Sequence, residues 1–191
     1  MKEFQHHQSA WSTRQKVARV MWMFVQGTLF RWSFHNMYGW RRFLLRQFGA
    51  TIGHQVRVRP TVRVEIPWNI RLDDGVIIGD FATLYALGKI TIGRGTVVSQ
   101  HSYLCAGTHD YTRSTFDLLT PPIIIGQEAW VAADCFIGPG VILGNRCVIG
   151  ARSSVFKDIP DDVIAAGHPA NILKPRVLDH AQVTIEGQHS A

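Results

Sequence analysis

Aliphatic side chains recur every six residues through the second half of the chain. The positions in phase are Ile125, Val131, Ile137, Leu143, Ile149 and Val155. Four residues after each of them comes a residue that is most often small: Ala129, Cys135, Val141, Cys147, Ser153 and Ile159. A helix buries residues with a period of 3.6 and a strand with a period of 2, so neither explains this spacing. A six-residue period is typical of a parallel β-helix, in which three short strands and three corners make one coil.

The same period extends upstream, with interruptions. The aliphatic positions there are Ile52, Val58, Val64, Ile70, Ile78, Leu84, Ile90, Ile92, Val98 and Leu104. Short slips are expected near Asp73–Val76 and Lys89–Thr91, and one long interruption covers residues 107–122. Insertions in repeat proteins form loops, often on the binding face. We therefore predict a β-helix over residues 49–172 that carries a functional loop at 107–122, followed by a C-terminal tail at 173–191.

Residues 1–48 have a different pattern and predict a helical extension. Ser12 is a suitable N-cap for a helix over Thr13 to Phe30, and a second short helix is expected from Met37 to Phe48. The apolar run of the first helix contains Arg19 and is too short to span a bilayer. Its apolar face is formed by Val17, Val20, Met21, Phe24 and Val25. Two interpretations stay open: the helices cap the open end of the β-helix, or they contact a membrane or another partner.

Composition narrows the class of protein. The 191 residues are 46% hydrophobic and 18% charged, which is typical of one globular domain with an extension. The net charge of +6 suggests an anionic partner such as lipid or a phosphate-rich cofactor. Nucleic acid is not expected, because the basic residues are scattered and no nucleic-acid motif is present. Three cysteines and no signal peptide point to a reducing cytoplasm.

Several short motifs resemble those of a known family. They are the long loop with His109, then Pro122-Ile123, Gly138-Pro139-Gly140-Val141, Lys157-Asp158-Ile159-Pro160 and the tail Val163 to Ala170. Together they resemble the left-handed β-helix acyltransferases with hexapeptide repeats. The stretches Gly39 to Arg46 and Leu104 to Asp110 are similar to the acetyltransferases of colanic acid and related exopolysaccharide gene clusters. The resemblance covers residues 12–176, and it implies a left-handed coil and a homotrimer with active sites between subunits.

His109 is the candidate general base. Acyl transfer to an alcohol needs a group that removes the hydroxyl proton, and histidine suits this because its ordinary pKa is near neutrality. His109 begins the long loop, and the resemblance assigns it this role; a purely structural histidine bonded to Asp110 is the alternative. The second ring nitrogen should be held by an acceptor. The resemblance favours Asp117 for that position, with Asp110 or a backbone carbonyl as alternatives.

The resemblance also implies acetyl-CoA as the donor. Trp130, Ala133, Ala151 and Lys157 match family positions near that molecule, and Lys157, Lys174 and Arg176 are placed to meet its phosphates. Trp130 as a packing residue of a coil corner, and Lys174 and Arg176 as solvated surface charges, are the alternatives. Relatives commonly place an acceptor-binding asparagine where this chain has Tyr85-Ala86, so the acceptor contacts are assigned to Tyr85, Asn69 and Asp110. No metal is expected, because His54, His101 and His109 lack the spacing of the zinc histidines in γ-type carbonic anhydrases, which share this coil.

The predicted function is therefore an O-acetyltransferase acting on a sugar hydroxyl in exopolysaccharide or lipid-linked oligosaccharide assembly. It would work in the cytoplasm or at the cytoplasmic face of the inner membrane, with the N-terminal helices as the peripheral membrane contact. Two alternatives remain at this point. The same chemistry could serve another acceptor, such as a free oligosaccharide, an amino sugar or serine, or the coil could be a non-catalytic scaffold.

Overall fold

A computed structural model describes residues 11–178, which form a three-sided parallel β-solenoid. Face 1 consists of β1 Thr51–Ile52, β4 Ile70–Leu72, β7 Ile90–Ile92, β12 Ile123–Ile125 and β15 Ile142–Leu143. Face 2 consists of β2 Arg57–Val58, β5 Ile77–Ile78, β8 Val97–Val98, β13 Trp130–Val131, β16 Val148–Ile149, β18 Val163–Gly167 and β19 Ala170–Pro175. Face 3 consists of β3 Arg63–Val64, β6 Thr83–Tyr85, β9 Tyr103–Cys105, β14 Phe136–Ile137 and β17 Ser154–Val155. We name the corners by the faces they join, in chain order: 1–2, 2–3 and 3–1.

Stacked aliphatic ladders fill the inside of the coil. On face 1 the parallel register aligns Ile52, Leu72, Ile92, Ile125 and Leu143. None of these side chains is more than 7% exposed. Full burial of such a side chain contributes about 1.5–3 kcal/mol. The small residues of the second repeat position are buried as well. The β-helix predicted from the six-residue period is therefore confirmed.

All three interruptions of the period fall at corner 3–1. Across this corner successive inward residues are eight, eight and twenty-one apart, at Val64 to Leu72, Leu84 to Ile92 and Leu104 to Ile125. They are four apart at Val155 to Ile159, where Ile159 pairs with Leu143, and six apart at the other steps. The slip expected near Asp73–Val76 is wrong. The extra residues lie earlier, in a short 3₁₀-helix at Pro67–Asn69, and the spacing from Leu72 to Ile78 is regular.

The N-terminal extension contains the two expected helices. The first, α1, spans Thr13–Val25 and continues as a π-helix at Gln26–Phe30, and α2 spans Tyr38–Gln47. Ser12 caps α1 through a capping box with Gln15, a reciprocal arrangement that satisfies two otherwise unpaired backbone N–H groups.

The helices cap the first coil by bonding to its backbone edge. Trp22 Nε1 donates to the Val64 carbonyl at 2.7 Å, and the Val64 N–H donates to Gln26 Oε1 at 2.6 Å. Three arginines reach other carbonyls of the same coil: Arg41 that of Val58, Arg42 that of Val56 and Arg46 that of Ile52. An uncovered strand edge invites unwanted pairing. The structure therefore supports the capping interpretation of this extension.

Arg41 is the innermost of these arginines. It is completely buried, and its guanidinium also donates to Ser33 Oγ and to the carbonyls of Phe34 and His35. Burial lowers the pKa of Arg41 from its ordinary value, because desolvation disfavours the charged form. Arg41 thus ties the loop between the helices to the coil.

Four of the five residues of the apolar face predicted for the first helix point away from the coil, and the fifth, Val25, packs against the core. Val17, Val20, Met21 and Phe24 are 54–70% exposed, whereas Trp22 is fully buried. No helix within residues 11–178 is both long and apolar enough to cross a membrane.

The other end of the coil is closed by a β-hairpin. Strand β19 pairs antiparallel with β18 and runs to Pro175, three residues past the predicted boundary at 172. Most of the predicted tail, residues 179–191, lies outside the described residues.

Candidate active site

The long interruption at residues 107–122 forms a two-stranded arm. Its strands are β10 Thr108–His109 and β11 Leu118–Leu119, which pair antiparallel with His109 opposite Leu118. The Asp110 N–H also donates to the Asp117 carbonyl at 2.8 Å. The arm leaves the coil at corner 3–1, so the predicted functional loop is a hairpin that projects from one edge of the solenoid.

The neighbouring coil supports the base of this arm. The Gly88 N–H donates to the Ala106 carbonyl at 2.7 Å, and a Cβ at Gly88 would lie 2.4 Å from the Thr120 carbonyl oxygen. Asn69, one coil further down, donates from its side-chain amide to the carbonyls of Ala86 and Leu87. The extra residues of the two shorter interruptions therefore form the platform beneath the arm.

His109 is held inside the arm by one hydrogen bond and one ring contact. Its Nδ1 lies 2.8 Å from the carbonyl oxygen of Phe116. The two rings stack with centroids 4.4 Å apart and planes 6° apart. A carbonyl oxygen only accepts hydrogen bonds, so Nδ1 must carry a proton. In the neutral imidazole Nε2 is then the basic nitrogen, which is the tautomer that a general base requires.

The two carboxylates of the arm brace its turn. Asp110 Oδ1 accepts from the Thr112 N–H at 3.0 Å, and its other oxygen lies 3.3 Å from Arg113 Nε. Asp117 Oδ2 accepts from Thr115 Oγ1 at 3.0 Å and lies 3.8 Å from Arg113 Nη1. Of the three acceptors considered for the His109 Nδ1 proton, the structure places a backbone carbonyl there. A role for Asp117 in orienting His109 stays a prediction.

We expect Asp117→Asn to lower kcat by less than about tenfold, because the Phe116 carbonyl still fixes the His109 tautomer. Loss of a group that positions the base would cost about 10²–10⁴-fold. Steady-state kinetics of Asp117→Asn beside Asp110→Asn measure the difference. A fall above a hundredfold confined to Asp117→Asn would show that Asp117 orients the imidazole directly.

Three of the residues predicted to bind the donor lie along corner 2–3 and the adjoining face. Trp130 is on β13 of face 2, where its Nε1 donates to Ser99 Oγ at 3.0 Å. Ala133 and Ala151 are at corner 2–3 on successive coils, joined by a 2.9 Å bond from the Arg152 N–H to the Ala133 carbonyl. Within one chain these residues are therefore at a different corner from His109.

The three basic residues assigned to phosphates are dispersed. Lys157 lies at corner 3–1 above the arm, and Lys174 lies on β19; both are exposed. Arg176 is directed into corner 1–2, where its guanidinium donates to the carbonyls of Glu128 and Arg146 at 3.0 and 2.8 Å. Arg176 therefore has a structural contact that the sequence did not predict.

Face 3 carries a row of aromatic side chains beside the arm. Tyr85 lies 5.9 Å from Tyr103, measured between ring centroids, and Tyr103 stacks on Phe136 at 6.0 Å. Tyr85, Asn69 and Asp110, the residues assigned to the acceptor, are thus all on face 3 or at corner 3–1. Cys105 ends the neighbouring strand, and burial raises the pKa of its thiol, which disfavours a nucleophilic thiolate.

Within residues 11–178 no group of three or more His, Cys, Asp or Glu side chains could hold a metal ion. All three cysteines are free thiols. A surface groove of about 380 Å³ lies between the first helix and the first coil, and another of about 570 Å³ follows corner 1–2 from Thr51 to Gln127; the lining of neither includes the arm.

Comparison with known proteins defines the class. Residues 122–157 match the family described as bacterial transferase hexapeptide (six repeats). The chain is 48% identical over 157 residues to the Escherichia coli protein named "Putative colanic acid biosynthesis acetyltransferase WcaF"; the match covers 82% of this chain and 86% of that protein. The galactoside O-acetyltransferase of Escherichia coli is 31% identical over 70% of this chain and 68% of its own length.

A solved structure supports the same conclusion. The hexapeptide-repeat acetyltransferase of Vibrio cholerae in complex with acetyl-CoA superposes with a TM-score of 0.79 and 26% identity, covering 90% of this chain and 93% of that one. The chain therefore belongs to the hexapeptide-repeat acyltransferases. Within that family it is similar over most of its length to a protein named for colanic acid biosynthesis.

Proposed function

We propose that this protein transfers an acetyl group from acetyl-CoA to a sugar hydroxyl, with His109 as the general base. The observation that carries the proposal is the bond from His109 Nδ1 to the Phe116 carbonyl, which leaves Nε2 as the basic nitrogen. The acetyl-CoA complex of the Vibrio cholerae relative supports the donor. The names of the two Escherichia coli relatives support a sugar acceptor.

The proposed reaction is a direct transfer. Nε2 of His109 takes the proton of the acceptor hydroxyl as its oxygen attacks the thioester carbonyl. The tetrahedral intermediate then collapses, the C–S bond breaks, and the CoA thiolate leaves. The imidazolium returns the proton to the sulfur, so the products are the acetyl ester and free CoA. No residue is acylated, in agreement with the raised thiol pKa of Cys105.

We further propose a homotrimer whose active sites lie between subunits. His109 projects from corner 3–1, whereas Ala133 and Ala151 line corner 2–3, so one chain does not bring base and donor corner together. The arm also leaves Phe116, Leu118 and Leu119 37–55% exposed, as expected of a hairpin that packs on a neighbouring chain. A cyclic assembly brings corner 3–1 of each copy to corner 2–3 of the next.

Mixed trimers test this arrangement. His109→Ala removes the base, and Ala151→Phe obstructs the donor corner, so each variant alone should be inactive. Co-expression of the two should restore about a quarter of wild-type activity, because random assembly of a trimer unites an intact base with an intact corner at that frequency. Light scattering should give three times the 21.5 kDa chain mass. Activity that stays absent in verified mixed trimers would place both elements in one chain.

The acceptor is tested by thiol release. Wild-type protein with acetyl-CoA should release CoA only when a suitable saccharide is present, and the panel should include exopolysaccharide repeat units, galactosides, an amino sugar and serine. Release with serine alone would replace the sugar proposal, and no release with any acceptor would contradict the proposed reaction. We place the reaction in the cytoplasm, where acetyl-CoA is made and where the three free thiols persist.

A further inference from the structure

The N-terminal cap exposes a large apolar surface on the side away from the coil. Ten large apolar side chains between Val17 and Phe43 are at least 38% exposed. They are Val17, Val20, Met21, Met23, Phe24, Leu29, Trp32, Phe34, Met37 and Phe43. Isolated exposed apolar residues are normal, but a contiguous group marks a surface that contacts something else.

Four of these residues form one stripe along α1. Val17, Val20, Met21 and Phe24 have the three- and four-residue spacing that places side chains on one face of a helix. Trp22, on the opposite side of the same helix, is fully buried and bonds to Val64. Capping the coil therefore uses one side of α1 and leaves a second apolar side, which we call the outer stripe, exposed on the surface formed by residues 11–178.

Charge is distributed very unevenly along the chain. Residues 11–64 contain ten Lys or Arg and no Asp or Glu, whereas residues 65–191 contain nine basic and thirteen acidic residues. Lys2 and Glu3 cancel, so the +6 of the whole chain divides into +10 on the N-terminal part and −4 on the rest. Seven of these ten cations lie within residues 11–48, the cap that carries the outer stripe, and three lie on the first coil.

Some of these cationic side chains form hydrogen bonds or ion pairs with other residues, and others are exposed. Arg41, Arg42 and Arg46 bond to backbone carbonyls of the first coil. Arg19 and Arg63 pair with Glu65, and Arg59 pairs with Asp80. On the cap itself Arg14, Lys16 and Arg31 remain exposed, and the Arg31 guanidinium lies over the ring of Phe81, 5.7 Å from its centroid. Apolar side chains with exposed cations beside them, and no anionic side chain in the segment, are the features of a helix that lies in an anionic lipid interface.

We propose that the N-terminal cap docks the protein peripherally on an anionic bilayer through the outer stripe. The stripe enters the interface between headgroups and acyl chains, Arg14 and Lys16 meet lipid phosphates, and Trp32 and Phe34, which are 84% and 79% exposed, occupy the headgroup level. The later coils, in residues 65–178, contain nine basic and eleven acidic residues and are held away from the membrane. Docking does not depend on the proposed reaction, although a lipid-linked saccharide would be presented at the same surface.

Vesicle flotation of the full chain tests the proposal. The protein should float with vesicles of equimolar phosphatidylcholine and phosphatidylglycerol, bind at least about tenfold less to phosphatidylcholine alone, and be released by high salt. Met21→Glu with Phe24→Glu should lower binding to the mixed vesicles by at least about tenfold. The matched control, Leu173→Glu with Val177→Glu, changes two side chains that are 64% and 87% exposed on other elements and should bind like wild type.

Each other outcome overturns the inference. Wild-type protein that stays unbound on mixed vesicles, or equal loss in both double variants, would contradict docking through the outer stripe. If Met21→Glu with Phe24→Glu changes the molar mass measured by light scattering but not vesicle binding, the stripe is a contact between copies of the chain. CoA release with a soluble acceptor should be assayed on the same samples, because it tests the acetyl transfer independently of membrane docking. Vesicle binding without acyl transfer would contradict only the proposed reaction.

Discussion

His109→Ala should lower kcat at least about a hundredfold, the scale of a lost general base. The alanine has no nitrogen to take the hydroxyl proton, and the acyl acceptor must then attack without assistance. Thiol-release kinetics with acetyl-CoA and the productive saccharide measure the effect. KM for acetyl-CoA should change little, because the proposed donor corner contains Ala133 and Ala151 rather than His109.

Two further variants make this result specific. His109→Asn keeps a side-chain N–H that can donate to the Phe116 carbonyl but has no basic nitrogen, so it should preserve the arm and be as inactive as His109→Ala. His54→Ala changes an exposed histidine at corner 1–2 and should retain activity. A His109→Asn enzyme within tenfold of wild type would show that the residue acts through the structure of the arm and not as a base.

Trp22→Ala should destabilise the protein by about 3–5 kcal/mol, the range for truncation of a buried aromatic side chain. Trp22 is fully buried, its ring centroid is 5.8 Å from that of Phe30 and 5.2 Å from that of Phe48, and its indole N–H bonds to Val64. The variant therefore opens a cavity and leaves the edge of the first coil uncovered. Urea unfolding at fixed protein concentration measures the loss.

Variants at Trp22 and Trp32 separate the contribution of the Trp22 hydrogen bond from that of buried aromatic packing. Trp22→Phe keeps a ring but removes the N–H, and leaving the Val64 carbonyl without this donor should cost about 1–3 kcal/mol. Trp32→Ala changes a side chain that is 84% exposed and should shift stability by no more than about 0.5 kcal/mol. Equal unfolding midpoints for Trp22→Ala and Trp32→Ala would mean that the cap contributes nothing to the stability of the coil.

The six-residue period was sufficient to predict the coil, because each repeat supplies one inward aliphatic and the faces stack in register. It was insufficient to locate the first slip. Ile70 is six residues after Val64 and was therefore predicted to be the inward residue of the next coil. In the structure the residue that aligns with Ile52 is Leu72. Both Ile70 and Leu72 are buried, since strands on face 1 have an additional inward position, and hydropathy alone does not distinguish them.

The site was predicted only in part, for a physical reason. His109 could be selected because imidazole chemistry and its place in a long loop are both visible in the sequence. The partner of its Nδ1 is a backbone carbonyl, which every residue possesses and no sequence pattern encodes. The same holds for Arg176, whose contacts are carbonyls of corner 1–2. The sequence also showed the apolar residues of the outer stripe. It did not show which side of α1 packs against the coil, because that is set by the hydrogen bond of Trp22 to Val64.

The departures from the six-residue spacing all lie at corner 3–1, and this determines where the chain can gain or lose residues. The inward ladders run along the faces, so residues added at this corner alter neither their register nor their burial. Doubling the length of a surface loop costs only about 0.6 kcal/mol of closure entropy. The arm and its platform can therefore be lengthened, shortened or exchanged by evolution or by design as a replaceable module, while the stacked core retains its shape. With the acceptor bound beside the arm, as proposed, acceptor preference should diversify at this corner faster than the fold itself.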